Sequence, residues 1–504
     1  MPRVSLFAAV IVVSAVLQWP VRAQIPPEGG TPAYLADLSA RRARIMSALG
    51  PDTVLVLWSA PSRLYSADID YPYRQDSNLF YFTGLTAEAA KLVLMPGAAA
   101  REFLFVRQSD PFRELWRGHD LTPAEVTAST GIPAVVAATD DQAFQSFIDA
   151  VLSGRDLPPS TGGPASVAPA GSVQTPRTKL AIAEPLPADF EATAAPGEGG
   201  TIVRWARAMR ARYPSIEVVS VAPVVQRQRQ VKTPYEQRVL TRSAAISAAA
   251  HVEGMRATRP GRWEYELKAA VEYQFLKNGS LSWGYPSIVG SGPNATSLHY
   301  LSGTRQMRDG DMVLVDAAGS YQGMTADITR SYPVNGRFTS AQRAIYELVL
   351  KAQEAGIAAA RPGVRAEAVT NAIRGVFRAG LRDLGLVQAA AGAQLETEVD
   401  LWFPHLPIHG IGVDVHDPLG DLVPGAAFVI EPGLYIRSDA FGRSRPVPLP
   451  QGLADQLAPA LARYRDIGIR IEDSFIMTTA GPVMISAAAP RRIADLERTV
   501  GKGR

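Results

Sequence analysis

The chain has 504 residues, with 51 Lys and Arg against 48 Asp and Glu, 47% hydrophobic residues and no cysteine. That length and apolar content suffice for two or three packed domains of about 150 residues each. The absence of cysteine excludes disulfides, thiolate metal sites and cysteine nucleophiles, and basic residues scattered among acidic ones offer no nucleic-acid face.

The N-terminus reads as an export signal, residues 1–23. A basic start at Arg3 precedes an apolar run from Leu6 to Leu17, and Val21-Arg22-Ala23 supplies small residues before Gln24, the expected first mature residue. The run falls short of the ~20 residues of a membrane span, so no stable span is expected after cleavage. A retained signal anchor is the alternative. The expected location is periplasmic or secreted.

A first domain is expected over residues 31–223. A helical pattern covers Leu35 to Leu49, and Pro51-Asp52 ends it. TVLVLWSA, Thr53 to Ala60, reads as a buried strand. The aromatic-rich YPYRQDSNLFYFTGL follows. KLVLMPG and REFLFVRQ read as two strands around a Pro-Gly turn, and Leu121 to Thr130 as a short helix with Pro in its first turn. Strands followed by helices imply α/β. Gly154 to Pro176 and Ala192 to Gly200, rich in Pro, Ser, Gly and Ala, read as surface insertions.

A second domain is expected over residues 231–488, with a C-terminal tail at 489–504. Thr233-Pro234-Tyr235-Glu236 is a capping box opening a helix to about Ala257. Further helices are expected from Trp263 to Lys277, after Thr339 with Gln342 at its cap, and from Ala366 to Leu384. Strand-like pieces lie between them, so the class is α+β. The stretch from Asp311 to Tyr332, DMVLVDAAGSYQGMTADITRSY, reads as a β-hairpin or bulged pair in which Asp316 and Asp327 meet across the ladder.

Polar residues collect in this second half. Of six His, four are His299, His405, His409 and His416, three of them within HLPIHGIGVDVH. Glu431 follows the apolar run AFVI, and Glu472 lies inside the strand-like GIRIEDSFIM. Charged residues in apolar runs need compensation. Four strand-borne carboxylates beside histidines are economically compensated by two divalent cations. A set of oxygen and nitrogen donors without sulfur favours Mn, Zn, Co or Fe over Ca. Two such ions can activate water and polarise a carbonyl, which is amide hydrolysis chemistry.

The blocks SGPNATSLHY, VDAAGSYQGMTADITRSYPVNGRFT, HGIGVDVHD, IEPGLYI and GIRIED resemble the aminopeptidase P and prolidase branch of the pita-bread metallopeptidases. YPYRQDSNLFYFTGL and ELWRG resemble the N-terminal domain of aminopeptidase P. The resemblance implies a curved antiparallel sheet with helices behind a smaller α/β domain. It implies two divalent metal ions, Mn first with Zn or Co as alternatives, on Asp316, Asp327, His409, Glu431 and Glu472, with Asp327 and Glu472 bridging. Glu431 would also be the acid/base group. His299 and His416 would be catalytic, contacting substrate and stabilising the tetrahedral intermediate. His405 and Arg470 would complete the substrate pocket. The implied substrates are peptides with proline second, and the implied assembly is a homo-oligomer, dimer or tetramer.

The sequence departs from the family at Leu406-Pro407-Ile408, where small residues are usual. Arg437 to Asp466 is a long segment expected to shape the substrate entrance. A prolidase limited to Xaa-Pro dipeptides would use the same centre. A metal-free creatinase-like or non-catalytic relative would lack carboxylates that are present here.

Overall fold

The computed structural model describes residues 29–98, 101–157, 176–188, 190, 200–443 and 449–503. The expected export signal and nearly all of both Pro-Ser-Gly-Ala segments lie outside the described residues.

The N-terminal half is a six-stranded mixed sheet. Its spatial order is Ala134–Ala138, Glu102–Arg107, Lys91–Leu94, Thr53–Trp58, Lys179–Ile182, Glu217–Ser220. Successive side chains of TVLVLW point to opposite faces. Leu55 and Leu57 meet the helix Pro32–Ala48, whose Leu38 and Ile45 are fully buried. Val54 and Val56 meet the helices Gln142–Ser153 and Thr201–Arg212. Both faces are thereby covered, which is why the run is continuously apolar rather than alternating.

The second half begins where the capping box places it. Thr233 Oγ1 accepts from the Glu236 amide at 3.2 Å, and the Glu236 carboxylate accepts from the Thr233 amide at 2.8 Å, opening the helix Pro234–Ala257. This helix packs with Glu264–Lys277, and Ser340–Ala359 packs with Ala366–Asp383. Between the helix pairs run Ile288–Ser291, Met312–Asp316 and Thr329–Pro333, one antiparallel sheet. Ala427–Ile430 pairs with Asp473–Thr478, and Gly433–Ile436 with Ile467–Arg470. A bridge between Thr329 and Glu472 joins these groups. The large core lies between this curved surface and the helices.

Two expectations need correction. Asp316 pairs with Thr329, so Asp327 lies beyond the ladder and the two acids do not meet across it. The chain between them leaves to form a second small hairpin, Gly319–Tyr321 with Met324–Thr325, in a different sheet. It turns on Gln322 and Gly323, both with positive φ, and a Cβ at Gly323 would sit 2.1 Å from the Phe80 ring of the N-terminal half. Nor does Glu472 lie inside a strand: it sits in the break between Ile467–Arg470 and Asp473–Thr478.

Two outlying segments join the core. Within Arg437 to Asp466, the helix Leu453–Tyr464 buries Leu453, Leu457 and Tyr464. Past residue 488, Arg330 donates to the carbonyls of Ala489 and Pro490, and Leu496 and Val500 are buried. No helix among the described residues is long and apolar enough to cross a membrane.

Candidate metal centre

The site is built on a fault in a strand pair. Ile430 faces Asp473 on one side of the break, and Gly433 faces Arg470 on the other. The register is the same on both sides, so Glu431 faces Glu472 and Pro432 faces Ile471. Directly opposed residues of an antiparallel pair project from the same face. Pro432 has no N–H and cannot complete the ladder. Gln353, fully buried on the helix Ser340–Ala359, spans the gap. Its Nε2 donates to the carbonyls of Ile430 and Ile471 at 3.3 and 3.2 Å and to Asp473 Oδ2 at 2.9 Å. Behind it Arg330 donates to Asp473 Oδ1 at 2.7 Å and to the Glu472 carbonyl at 2.5 Å. The two glutamates are thus fixed through their backbone, leaving their side chains to face the site.

Asp316 and Asp327 arrive from the other sheet. The Tyr285 hydroxyl donates to Asp316 Oδ1 at 2.6 Å and also to Asp327 Oδ1. The Asp327 amide donates to Ser474 Oγ at 2.9 Å, and that hydroxyl donates to the Asp327 carbonyl at 2.7 Å. Arg470 donates to Asp316 Oδ2, to Thr329 Oγ1 at 3.0 Å and to the Tyr435 hydroxyl at 2.9 Å. His409 comes from the loop after Pro407, whose carbonyl accepts from the Glu431 amide at 2.8 Å. His409 Nδ1 lies 2.9 Å from the Gly410 carbonyl, which fixes the proton there and leaves the lone pair of Nε2 free to ligate. Nε2 lies 3.4 Å from Glu431 Oε1 and 3.8 Å from both Glu472 Oε1 and Asp327 Oδ2.

The electrostatics ask for positive charge. Burial, then the charge of Glu472, holds the carboxyls of Asp327 and Glu431 well above the ordinary range. Burial and then Asp316 push Glu472 up to about 8. Burial and then His416 push His409 down to about 3, so its imidazole is neutral, the form that ligates metals. Glu472 Oε1 is buried with no hydrogen-bond partner, while Oε2 accepts from Thr329 Oγ1 at 2.7 Å. An orphaned acceptor among acids is costly unless a cation meets it. The donor atoms form three triads, Asp316–Asp327–Glu472, His409–Glu431–Glu472 and Asp327–His409–His416, each within 4.8 Å, with Glu472 common to the first two. These residues fit a pair of divalent cations.

The remaining sequence-picked residues surround the five donors. His416 is exposed, its ring 4.0 Å from that of His409. His299 is exposed and lies near both His416 and His405. His405 is engaged at both nitrogens, with the Leu406 carbonyl at 2.9 Å and the Tyr435 hydroxyl at 3.0 Å. Arg470 is buried and holds Asp316, Thr329 and Tyr435. Tyr285, Gln353, Thr329 and Ser474 were not found by sequence reasoning. Each is an ordinary polar residue whose partners lie far along the chain, so no local pattern marks it.

Residues 238–479 match the metallopeptidase family M24, and residues 38–157 match the aminopeptidase P N-terminal domain. The chain is 32% identical over 473 residues to the Xaa-Pro aminopeptidase of Escherichia coli (strain K12), spanning 92% of this chain and 96% of that one. The chain belongs to the M24 metallopeptidases, in their aminopeptidase P branch. Among solved structures, aminopeptidase P from E. coli with the inhibitor Pro-Leu superimposes with a TM-score of 0.75 at 30% identity, covering 92% of this chain and 97% of that one. Zinc-substituted E. coli aminopeptidase P in complex with product gives 0.73 at 30% identity over the same shares. The curved sheet and its helices are therefore the pita-bread fold of M24, preceded by the aminopeptidase P N-terminal domain.

Proposed function

We propose that this M24 member is an Xaa-Pro aminopeptidase, hydrolysing the peptide bond between an N-terminal residue and a following proline. The observation that carries the reading is the convergence of Asp316, Asp327, His409, Glu431 and Glu472 around a buried Glu472 oxygen that has no hydrogen-bond partner. Two divalent cations bound there would supply an acidified water and a polarised scissile carbonyl. Glu431, which faces Glu472 across the strand break with its side chain in the site, is the group suited to take a water's proton and pass it to the proline nitrogen. His416 and His299, exposed beside the cluster, are suited to hold the peptide and to donate to the carbonyl oxygen as it gains charge. Arg470 serves by fixing Asp316, and His405 by fixing Tyr435.

Manganese is the first choice of metal, because carboxylates dominate the donor set; zinc and cobalt are the alternatives. Export through the N-terminal segment gives a periplasmic or secreted enzyme. A homo-oligomer is supported by the exposed apolar residues Phe112, Leu115 and Trp116, 70%, 79% and 70% accessible.

The test is digestion of matched Xaa-Pro-Xaa, Xaa-Ala-Xaa and Xaa-Pro peptides by metal-reconstituted protein. Release of the first residue from the proline tripeptide, and not from its alanine counterpart, is expected. Cleavage confined to the dipeptide would make the protein a prolidase. A protein that neither binds nor responds to divalent metal would end the peptidase reading.

A further inference from the structure

The loop that carries His409 and His416 is anchored by an ion cluster that extends beyond the catalytic domain into the linking helix and the N-terminal domain. The loop closes where the Asp417 amide donates to the Gly410 carbonyl at 2.9 Å. Asp417, directly after His416, is buried. Its Oδ1 accepts from Arg229 Nε at 3.0 Å, and its Oδ2 from Lys232 Nζ at 2.7 Å. Arg229 also donates to Asp414 Oδ2 at 2.5 Å, two residues before His416, and to Asn78 Oδ1 at 2.8 Å. Asp414 Oδ1 accepts from Ser77 Oγ at 2.6 Å and from Arg74 at 3.0 Å. A Cβ at Gly412 would fall 2.2 Å from Asp417 Oδ2, so the carboxylate is seated directly on the loop backbone.

Both acids that flank His416 are therefore held by one guanidinium. Arg229 ends the helix Ala222–Gln230, which links the two domains, and Ser77 and Asn78 open the N-terminal-domain helix Ser77–Thr83. No atom of the cluster lies among the five metal donors. A buried ion pair is weak evidence of stability gained, and its best-attested use is to fix one geometry. Here the geometry fixed is that of the loop presenting His416.

We infer that Arg229, with Lys232, is a positioning residue: through Asp414 and Asp417 it holds His416 against the substrate, so seating of the N-terminal domain sets turnover. This rests on the Xaa-Pro aminopeptidase reading. The test compares full-length wild type, Arg229→Gln, Arg229→Lys and Asp414→Asn by kcat and KM on an Xaa-Pro-Xaa tripeptide. Bound metal and thermal unfolding are measured alongside. Arg229→Gln is expected to lose about tenfold or more in kcat, since small misplacements of a catalytic group are that costly, with KM little changed and both metals retained. Arg229→Lys should recover part of the loss. Should Arg229→Gln fail to fold, Asp414→Asn, at the partly exposed loop tip, carries the test with the same sign. Unchanged kcat in a folded variant, or a loss fully restored by saturating metal, overturns the inference. A wild type inactive on Xaa-Pro peptides overturns the function and the inference with it, whereas an active wild type with unaffected variants overturns the inference alone.

Discussion

Replacing Glu472 with Gln separates two effects of opposite sign. Glu472 is 1% exposed, and its pKa is raised to about 8 from an ordinary 4.5, first by burial and then by Asp316. A carboxyl raised in the folded state keeps its proton longer there than in the unfolded chain. Its cost to the metal-free protein is absent below the unfolded value, grows as pH rises, and is complete above the folded value. Between pH 4.5 and 7, at about 1.4 kcal/mol per pH unit, that cost reaches about 3 kcal/mol. Gln has the same shape, carries no charge, and can still accept from Thr329 while its amide donates toward the neighbouring acids. Chelated Glu472→Gln should therefore be more stable than chelated wild type by about 3 kcal/mol at pH 7, and equal to it near pH 4.5. With Mn2+ added the order reverses, because the wild type gains more binding energy than a variant that has lost the carboxylate common to two of the triads. Urea unfolding at both pH values, with chelator and then with metal, measures each term. If the chelated variant is no more stable at pH 7, or gains as much from Mn2+ as wild type, the cluster is not the repulsive, cation-requiring site described.

Tyr285→Phe removes the hydroxyl that bonds both Asp316 and Asp327, and metal affinity should fall about 10–100-fold, the usual consequence of losing an orienting partner; unchanged affinity by calorimetric titration would refute that role. Asp327→Asn should abolish turnover while circular dichroism stays native, and wild-type activity would contradict its place among the donors. Gln353→Leu leaves the Ile430 and Ile471 carbonyls and one Asp473 oxygen without their donor, at a cost of about 3 kcal/mol in denaturant unfolding. A change below about 1 kcal/mol would mean another group closes the ladder break.

Much of this architecture was written locally. Thr233 with Glu236, and Thr339 with Gln342, announce their helices because a capping box needs only four consecutive residues. TVLVLW and AFVI are continuous enough to read as buried strands. The donor residues were visible because acids and histidines in apolar company are chemically conspicuous. What escaped depends on contacts between distant segments. The Asp311–Tyr332 stretch has hairpin composition throughout, yet its middle is diverted into another sheet by the turn at Gln322-Gly323 lodged against Phe80. The break at Glu472 is imposed by Pro432 on the opposing strand. Arg229 and Lys232 look like ordinary helix-end cations until Asp417, almost two hundred residues later, is seen to bury them.

The shared register on either side of Glu431 and Glu472 has a practical corollary for redesign. The chain leaves the ladder at Ile436 and rejoins it at Ile467, directly opposite. Everything between is topologically a hairpin loop, whatever its length. Outside the helix Leu453–Tyr464, whose buried side chains belong to the core, residues could be added or removed there while the rungs below keep both glutamates in step.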